Sequence, residues 1–170
     1  MARITPRPPP TQALVLTCLN QRCLACGGPL WFAYDNDRRV TTLDAVIAVR
    51  LQVRRCVNPA CAFYHRPYRP ELEGRLALPH HEFGLDVIAW IGAGRYQDHR
   101  TVPELHRALT GRGVVIAPRT VDHLLGRYEE LVSVVLAAPT QRAGLYPQGR
   151  LILAVDGLQP DKGDEILWVV

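Results

Sequence analysis

The sequence predicts an α+β protein in which a small β-rich segment precedes a helical segment and a final β-hairpin. Three observations predict this order. Two pairs of cysteines enclose a stretch in which apolar and polar residues alternate, as they do in a half-buried strand. From about residue 83 to 136 the apolar residues recur with helical spacing, and glycines and prolines divide that stretch into three. The final segment, 151–170, contains two apolar runs separated by a polar turn.

Composition narrows the class of protein. The chain has 170 residues, of which 48% are hydrophobic, enough for packed cores. No apolar run approaches the ~20 residues of a membrane span, and residues 1–10 lack the hydrophobic segment of a secretory signal. We therefore expect a soluble, cytoplasmic protein with no membrane partner.

Charge is distributed unevenly along the chain. The formal net charge is +7 over residues 1–70, 0 over 71–150 and −3 over 151–170. A basic first part and an acidic last part suit a protein that binds phosphates with one and metal ions with the other.

Residues 1–12 are predicted to be a flexible arm. Residues 2–10 hold four prolines and two arginines, which do not form a helix or a central strand. A basic arm can follow a groove of DNA, and a simple disordered terminus is the alternative.

The cysteines give the strongest chemical signal. Cys23 and Cys26 enclose two residues and precede two glycines, and Cys56 and Cys61 enclose four. Tight turns of this kind supply the four soft ligands of a tetrahedral zinc site two at a time. Structural disulfides are not expected in an intracellular chain of this size. We therefore predict a structural zinc ribbon over residues 13–70. The alternative is that the four cysteines are small, buried apolar residues.

Two further residues leave the ligand set open. Cys18 is either a spare core thiol, which we favour, or a replacement for one of the four. His65 lies four residues after Cys61, so a mixed cysteine and histidine set is also compatible with the spacing.

The stretch between the cysteine pairs predicts the strands of the ribbon. Residues 30–34 are apolar and aromatic, and further on three apolar residues alternate with polar ones. One face of that second strand should pack, and the other should be basic. The apolar residues are Val49, Leu51 and Val53, and the candidate DNA-binding arginines of this region are Arg50, Arg54 and Arg55.

A boundary between modules is predicted over residues 66–79, which three prolines interrupt. The adjacent residues His80 and His81 would diverge by about 100° in a helix and could not share a metal. We expect both to be solvent-facing linker residues.

Residues 80–138 predict three helices. The first begins near Phe83 and fades near Gly92 and Gly94. The second begins at a Thr101 cap with Glu104 behind it, buries Leu105 and Leu109, and ends at Gly111 and Gly113. The following loop leaves room for a β-like excursion over residues 114–116.

The third helix begins at Pro118 and extends to about Leu136. Three helices with this punctuation form a helix-turn-helix whose last helix enters the major groove of DNA. A helical bundle whose arginines only solvate its surface is the alternative. The buried side of the third helix carries Val121, Leu124 and Leu125, and the candidate DNA-binding residues on the other side are Arg119, Thr120, His123 and Arg127.

After a linker over residues 139–149, the last segment predicts a hairpin. Residues 151–155 form a buried strand that ends at Asp156, turn residues follow at 161–164, and residues 166–170 form the second strand. Asp156 is a candidate metal ligand or, alternatively, an acid that only starts a turn. An open edge at this hairpin would have to pair with something else.

Together these motifs resemble DDE-type insertion-sequence transposases. C-L-A-C-G and R-R-C-V-N-P-A-C resemble the N-terminal zinc module of that class. T-V-P-E-L-H-R-A-L-T and G-V-V-I-A-P-R-T-V-D-H-L-L resemble its helix-turn-helix. The order strand, Asp156, Gly157, hairpin resembles the start of its RNase H-like catalytic domain, here residues 150–170.

The resemblance implies a function and its limits. It makes Asp156 the first of three catalytic carboxylates that hold Mg²⁺ or Mn²⁺ in the full-length enzyme. The other two have no counterpart here, so this fragment is expected to be inactive. The implied partner is double-stranded DNA at element ends, on the nucleoid of a prokaryote, and a homodimer remains open.

Two other functions stay open from the residues alone. One is a stand-alone zinc-ribbon and helix-turn-helix DNA-binding regulator. The other is a zinc-ribbon protein-interaction module, in which Arg50, Arg54 and Arg55 would meet an acidic partner.

Overall fold

The computed structural model describes residues 8–137, 156–158 and 167–169. Residues 1–129 form one compact unit and residues 130–170 a second. In the described part of the chain, a mixed four-stranded sheet, four helices and a separate two-stranded sheet make an α+β fold. The predicted α+β class is therefore confirmed.

The four-stranded sheet is built around its third strand. This strand, β3 (Val46–Cys56), forms an antiparallel hairpin with β2 (Leu30–Thr41). On its other side it pairs in parallel with β1 (Gln12–Thr17) and in antiparallel with the short β4 (Pro67–Tyr68). The sheet order β1-β3-β2 leaves β2 at an edge of the sheet.

Alternation along β3 buries one face, as predicted. Val49, Leu51 and Val53 are at most 1% exposed and form the core of the sheet together with Leu16 of β1 and Val40 of β2. Residues two apart in a strand point to the same face, so the predicted period places all three side chains in this core.

Residues 66–79, predicted to be a boundary between modules, form two secondary-structure elements of the first unit. Besides β4, they form the short helix α1 (Glu73–Leu76). Glu73 is buried, and its carboxylate accepts hydrogen bonds from Arg38 of β2 at 2.6 Å and from Arg69 at 2.7 and 2.8 Å. Arg38 also donates to the carbonyls of Leu78 and His81. The segment is thus held against the sheet.

Three helices share a second core: α2 (Leu85–Tyr96), α3 (Val102–Gly111) and α4 (Pro118–Ala137). The predicted capping box at the start of α3 is present, since Glu104 accepts from both the backbone N–H and the hydroxyl of Thr101. The fully buried side chains of this core include Val87, Ile88, Ile91, Leu105, Leu109 and Val121.

The predicted end of the first helix was wrong. Helix α2 continues through Gly92 and Gly94 to Tyr96. A Cβ atom at Gly92 would lie 2.3 Å from the ring of Tyr128, and one at Gly94 would lie 2.5 Å from Leu105. The two glycines therefore allow close approach of other helices instead of ending their own.

The predicted β-like excursion after α3 is a loop without strand pairing. Its alternation is nevertheless visible, because Val114 and Ile116 are buried in the helical core while Val115 is 44% exposed. The backbone N–H of Val114 bonds to Leu109 O, and a ring nitrogen of His106 lies 3.1 Å from Ile116 O. Helix α3 thus supplies the hydrogen-bond partners that a neighbouring strand would otherwise provide.

In the second unit, β5 (Asp156–Leu158) pairs in antiparallel with β6 (Leu167–Val169), and Asp156 lies opposite Val169. Antiparallel pairing with the predicted second strand is present, but the first strand continues past Asp156, where it was predicted to end, through Leu158. The predicted strand at 151–155, the turn at 161–164 and the start of the arm at residues 1–7 lie outside the described residues. No helix in the described ranges is long and apolar enough to cross a membrane.

Candidate metal centre and nucleic-acid interface

The four predicted ligands meet at one end of the sheet. Cys23 and Cys26 lie in the turn between β1 and β2, Cys56 ends β3, and Cys61 follows in the next loop. Their sulfur atoms all lie within 4.8 Å of one another. Cys23 and Cys61 are 3.6 Å apart, and Cys26 and Cys56 are 3.7 Å apart. A tetrahedron with metal–sulfur bonds of about 2.3 Å has edges of about 3.8 Å. The cluster therefore has the size of a four-thiolate metal site.

Local backbone geometry forms the first of the two turns. Gly27, with φ of 68°, donates to Cys23 O at 2.9 Å, and Cys23 donates to Gly28 O at 2.8 Å. A positive φ of this kind favours glycine, which explains the glycine directly after the second cysteine.

The second turn points a backbone donor at a sulfur. Cys61 N donates to Asn58 O, and Phe63 N donates to the sulfur of Cys61 at 3.3 Å. An N–H that points at sulfur stabilises the thiolate form that a metal requires.

The thiols of the cluster differ in their pKa values. The hydroxyl of Tyr68, 3.2 Å from the sulfur of Cys23, lowers the pKa of Cys23 to about 6 against the opposing effect of burial. The Phe63 N–H favours ionised Cys61, but burial and the neighbouring thiols outweigh it and raise the pKa of Cys61 to about 12. One thiolate is thus favoured near neutral pH, and four adjacent thiolates need a cation among them. The donor set fits zinc.

Cys18 and His65, the two other candidate metal ligands, lie outside this cluster. Cys18 is buried, and its sulfur lies 3.3 Å from Tyr68 O and 3.7 Å from Gln52 O. Burial raises the pKa of Cys18, as expected for a core thiol. His65 has a φ of 58°, and its ring lies against that of Tyr64. Within the described residues, the four cysteines are the only group close enough to hold a metal ion.

The predicted arginines of the sheet do not share one environment. Arg50 is exposed and forms two hydrogen bonds to Asp37, at 2.8 and 3.0 Å. Asp37 lies directly opposite it on β2. Arg54 is half-buried and donates to Leu30 O, whereas Arg55 is exposed. Arg50 and Arg54 occupy one face of β3 and Arg55 the other, because side chains alternate along a strand.

The candidate residues of α4 lie together near its start. Arg119, His123 and Arg127 are exposed, and Thr120 is half-buried. The opposite side of the helix, with Val121, Leu124 and Leu125, is in the helical core, as predicted.

A cleft that the sequence did not predict lies beside this part of α4. This open cleft of about 420 Å³ is lined on one side by Thr120, His123 and Arg127 and on the other by His80 and Phe83. His80 is exposed, as predicted, with a left-handed φ of 61°, and His81 is half-buried. No spacing signal connects residues forty positions apart in this way.

The sequence did not predict the role of Tyr68, whose hydroxyl lies 3.2 Å from the sulfur of Cys23, or the exposure of the aromatic residues of β2. Of the apolar run 30–34, Leu30 is buried, but Trp31, Phe32 and Tyr34 are 59%, 57% and 45% exposed. Asp156, the predicted magnesium ligand, is the first residue of β5, and its backbone pairs with that of Val169.

Comparison with protein families, with curated proteins and with solved structures found no match.

Proposed function

We propose that this chain binds double-stranded DNA through α4, carries one structural zinc ion, and is the end-binding part of a transposase. The main support for DNA binding is a stripe of exposed side chains on α4, formed by Arg119, His123 and Arg127. Arg119, His123 and Arg127 are four residues apart, so their side chains follow one side of the helix. The stripe is about 12 Å long at 1.5 Å per residue. An α-helix with its side chains is about 10–12 Å in diameter and therefore fits the major groove, which is about 12 Å wide.

The helical core supports this role. The buried side of α4 packs against α2 and α3, so the stripe is presented by a helix that is fixed in position. A fixed helix loses little conformational entropy when it binds, and rigid presentation favours sequence-specific contacts. Arginine donates in pairs to guanine, and both arginine and protonated histidine contact phosphates.

Zinc has a structural role in this proposal. Four cysteine ligands complete a tetrahedral site and leave no position for a substrate or a catalytic water. Cys23, Cys26, Cys56 and Cys61 would hold the ion, joining the β1–β2 turn to the end of β3. The preference for zinc follows from the softness and number of the thiolate ligands.

The transposase assignment depends on the sequence resemblance. In that family Asp156 would contribute to a site for Mg²⁺ or Mn²⁺ built with carboxylates from a longer chain, and one carboxylate alone is a weak site for a hard cation. A stand-alone regulator would bind DNA in the same way, and would differ in lacking such chemistry.

A charge-matched pair of double variants tests DNA binding. Arg119→Gln with Arg127→Gln should weaken binding to a labelled duplex by about thirtyfold or more, since each of the two lost contacts to a base or phosphate has a cost of about 1–3 kcal/mol. Arg75→Gln with Arg95→Gln removes the same charge from exposed positions on α1 and α2. The control should bind within about threefold of the parent chain. Equal binding by all three proteins would rule out α4 as the interface.

A further inference from the structure

Two large aromatic side chains are exposed at the end of the sheet that carries the four cysteines. Trp31 is 59% exposed and Tyr34 is 45% exposed, both near the start of β2. Burying such rings is normally favourable, so their exposure beside a cysteine cluster indicates a binding surface.

A β-bulge places these two rings on one face of the sheet. Trp31 lies opposite Arg55, and Tyr34 lies opposite Val53. Arg55 and Val53 are two residues apart on β3 and therefore share a face, and cross-strand partners share it with them. The register shifts between Phe32 and Tyr34. Without the extra residue, Trp31 and Tyr34 would point to opposite faces.

The spacing of the two strand positions that carry the rings favours one form of nucleic acid. Two residues along β3 separate the positions by about 7 Å. Stacked bases in a duplex are about 3.4 Å apart and hide their faces from a protein. Two neighbouring bases could each cover one of these rings only in an extended single strand.

Charge in this region is also suitable. Residues 17–34 and 53–70 contain five arginines and no acidic residue. A zinc ion with four thiolates contributes two negative charges, and the carboxylate of Glu71, which accepts from Leu19 N and Asn20 N, contributes one more. Five arginines still leave the region net positive. Arg55 is exposed directly opposite Trp31, where it can meet a phosphate beside a stacked base. Asp35, the nearest acid in sequence, points to the other face.

From these observations we propose that Trp31, Tyr34 and Arg55 form a platform for the unpaired bases of single-stranded DNA. The platform is separate from α4, so it does not depend on the duplex contacts proposed above. It would give the protein a second DNA contact at sites where the two strands are separated. Stacking of this kind tolerates any base, so we expect weak sequence preference.

Adjacent aromatic residues provide a matched test. Trp31→Ala should weaken binding to a labelled oligothymidylate by about tenfold, as expected for loss of one stacked base, whereas Trp31→Phe should keep most of the affinity. Phe32→Ala removes a neighbouring ring of similar exposure, 57%, that lies opposite Arg54 on the other face. It should bind the oligonucleotide like the parent chain.

Two readouts complete the design. Zinc content, measured for every variant, shows whether the site formed by the four cysteines is intact. Duplex binding, measured in parallel, should be unchanged in Trp31→Ala, so failure of this proposal is distinct from failure of the proposal for α4. Equal oligonucleotide binding by Trp31→Ala and the parent chain would overturn the platform. An equal loss in Phe32→Ala would also overturn it, since the bulge would then have no selective effect.

Discussion

Removing the negative charge of the buried Glu73 carboxylate should destabilise the first unit. Its side chain is 8% exposed, that of Arg38 is 14% exposed, and that of Arg69 is 35% exposed. Replacing Glu73 with glutamine keeps the shape but removes the charge, leaving Arg38 buried without its ionic partner. Breaking a buried ion pair typically has a cost of about 3–5 kcal/mol. Because Arg69 is partly exposed and can turn to solvent, we expect about 3 kcal/mol, at the lower end of that range.

Denaturant unfolding followed by circular dichroism would measure this loss. The matched control is Asp37→Asn on the same strand, where the carboxylate and Arg50 are 62% and 54% exposed. Exposed pairs contribute little, so this variant should unfold at the same denaturant concentration as the parent chain. A change of less than about 0.5 kcal/mol in Glu73→Gln would contradict the account, because that is the range of an exposed pair.

The same network predicts a dependence on pH. Hydrogen bonds from Arg69 and Arg38 hold the pKa of Glu73 below its ordinary value of 4.5. The resulting stability should be fully present above pH 4.5 and should be lost as the pH falls through the lower pKa of the folded state. Glu73→Gln should lack this part of the acid dependence.

Two further predictions concern the metal and the helix contacts. Elemental analysis should find about one zinc per parent chain and almost none in Cys56→Ser. The control variant Cys18→Ser should keep its zinc. Loss of zinc in both variants would contradict the four-cysteine ligand set. Gly92→Ala, whose Cβ would lie 2.3 Å from the Tyr128 ring, should lower the free energy of unfolding by about 1–3 kcal/mol. Gly126→Ala meets no atom within 4 Å and should raise it by about 0.5–1 kcal/mol, so equal effects at both glycines would contradict the close contact.

Local patterns in the sequence predicted much of the fold. The cysteine pairs, the alternation in β3, the cap at Thr101 and the two sides of α4 are each encoded within a few residues, and all four are present. The periodicity that defines each element is a property of that element alone.

Contacts between distant residues were not predictable in this way. The parallel pairing of β1 with β3 and the bond from Arg38 to Glu73 join positions about 35 residues apart. In the sequence, Gly92 resembles a residue that ends a helix. In the structure, its missing side chain leaves room for the ring of Tyr128. The bulge that exposes Trp31 and Tyr34 on one face likewise has no signature in the apolar run that contains it.

The salt dependence of duplex binding tests the central claim most directly. Each phosphate contact releases counterions and adds about 0.9 to the slope of log affinity against log salt concentration. If Arg119 and Arg127 on α4 contact phosphates, replacing both with glutamine should reduce the magnitude of that slope by about 2. The Arg75→Gln and Arg95→Gln control should keep the parent slope. An unchanged slope in the α4 variant would contradict DNA binding through this helix.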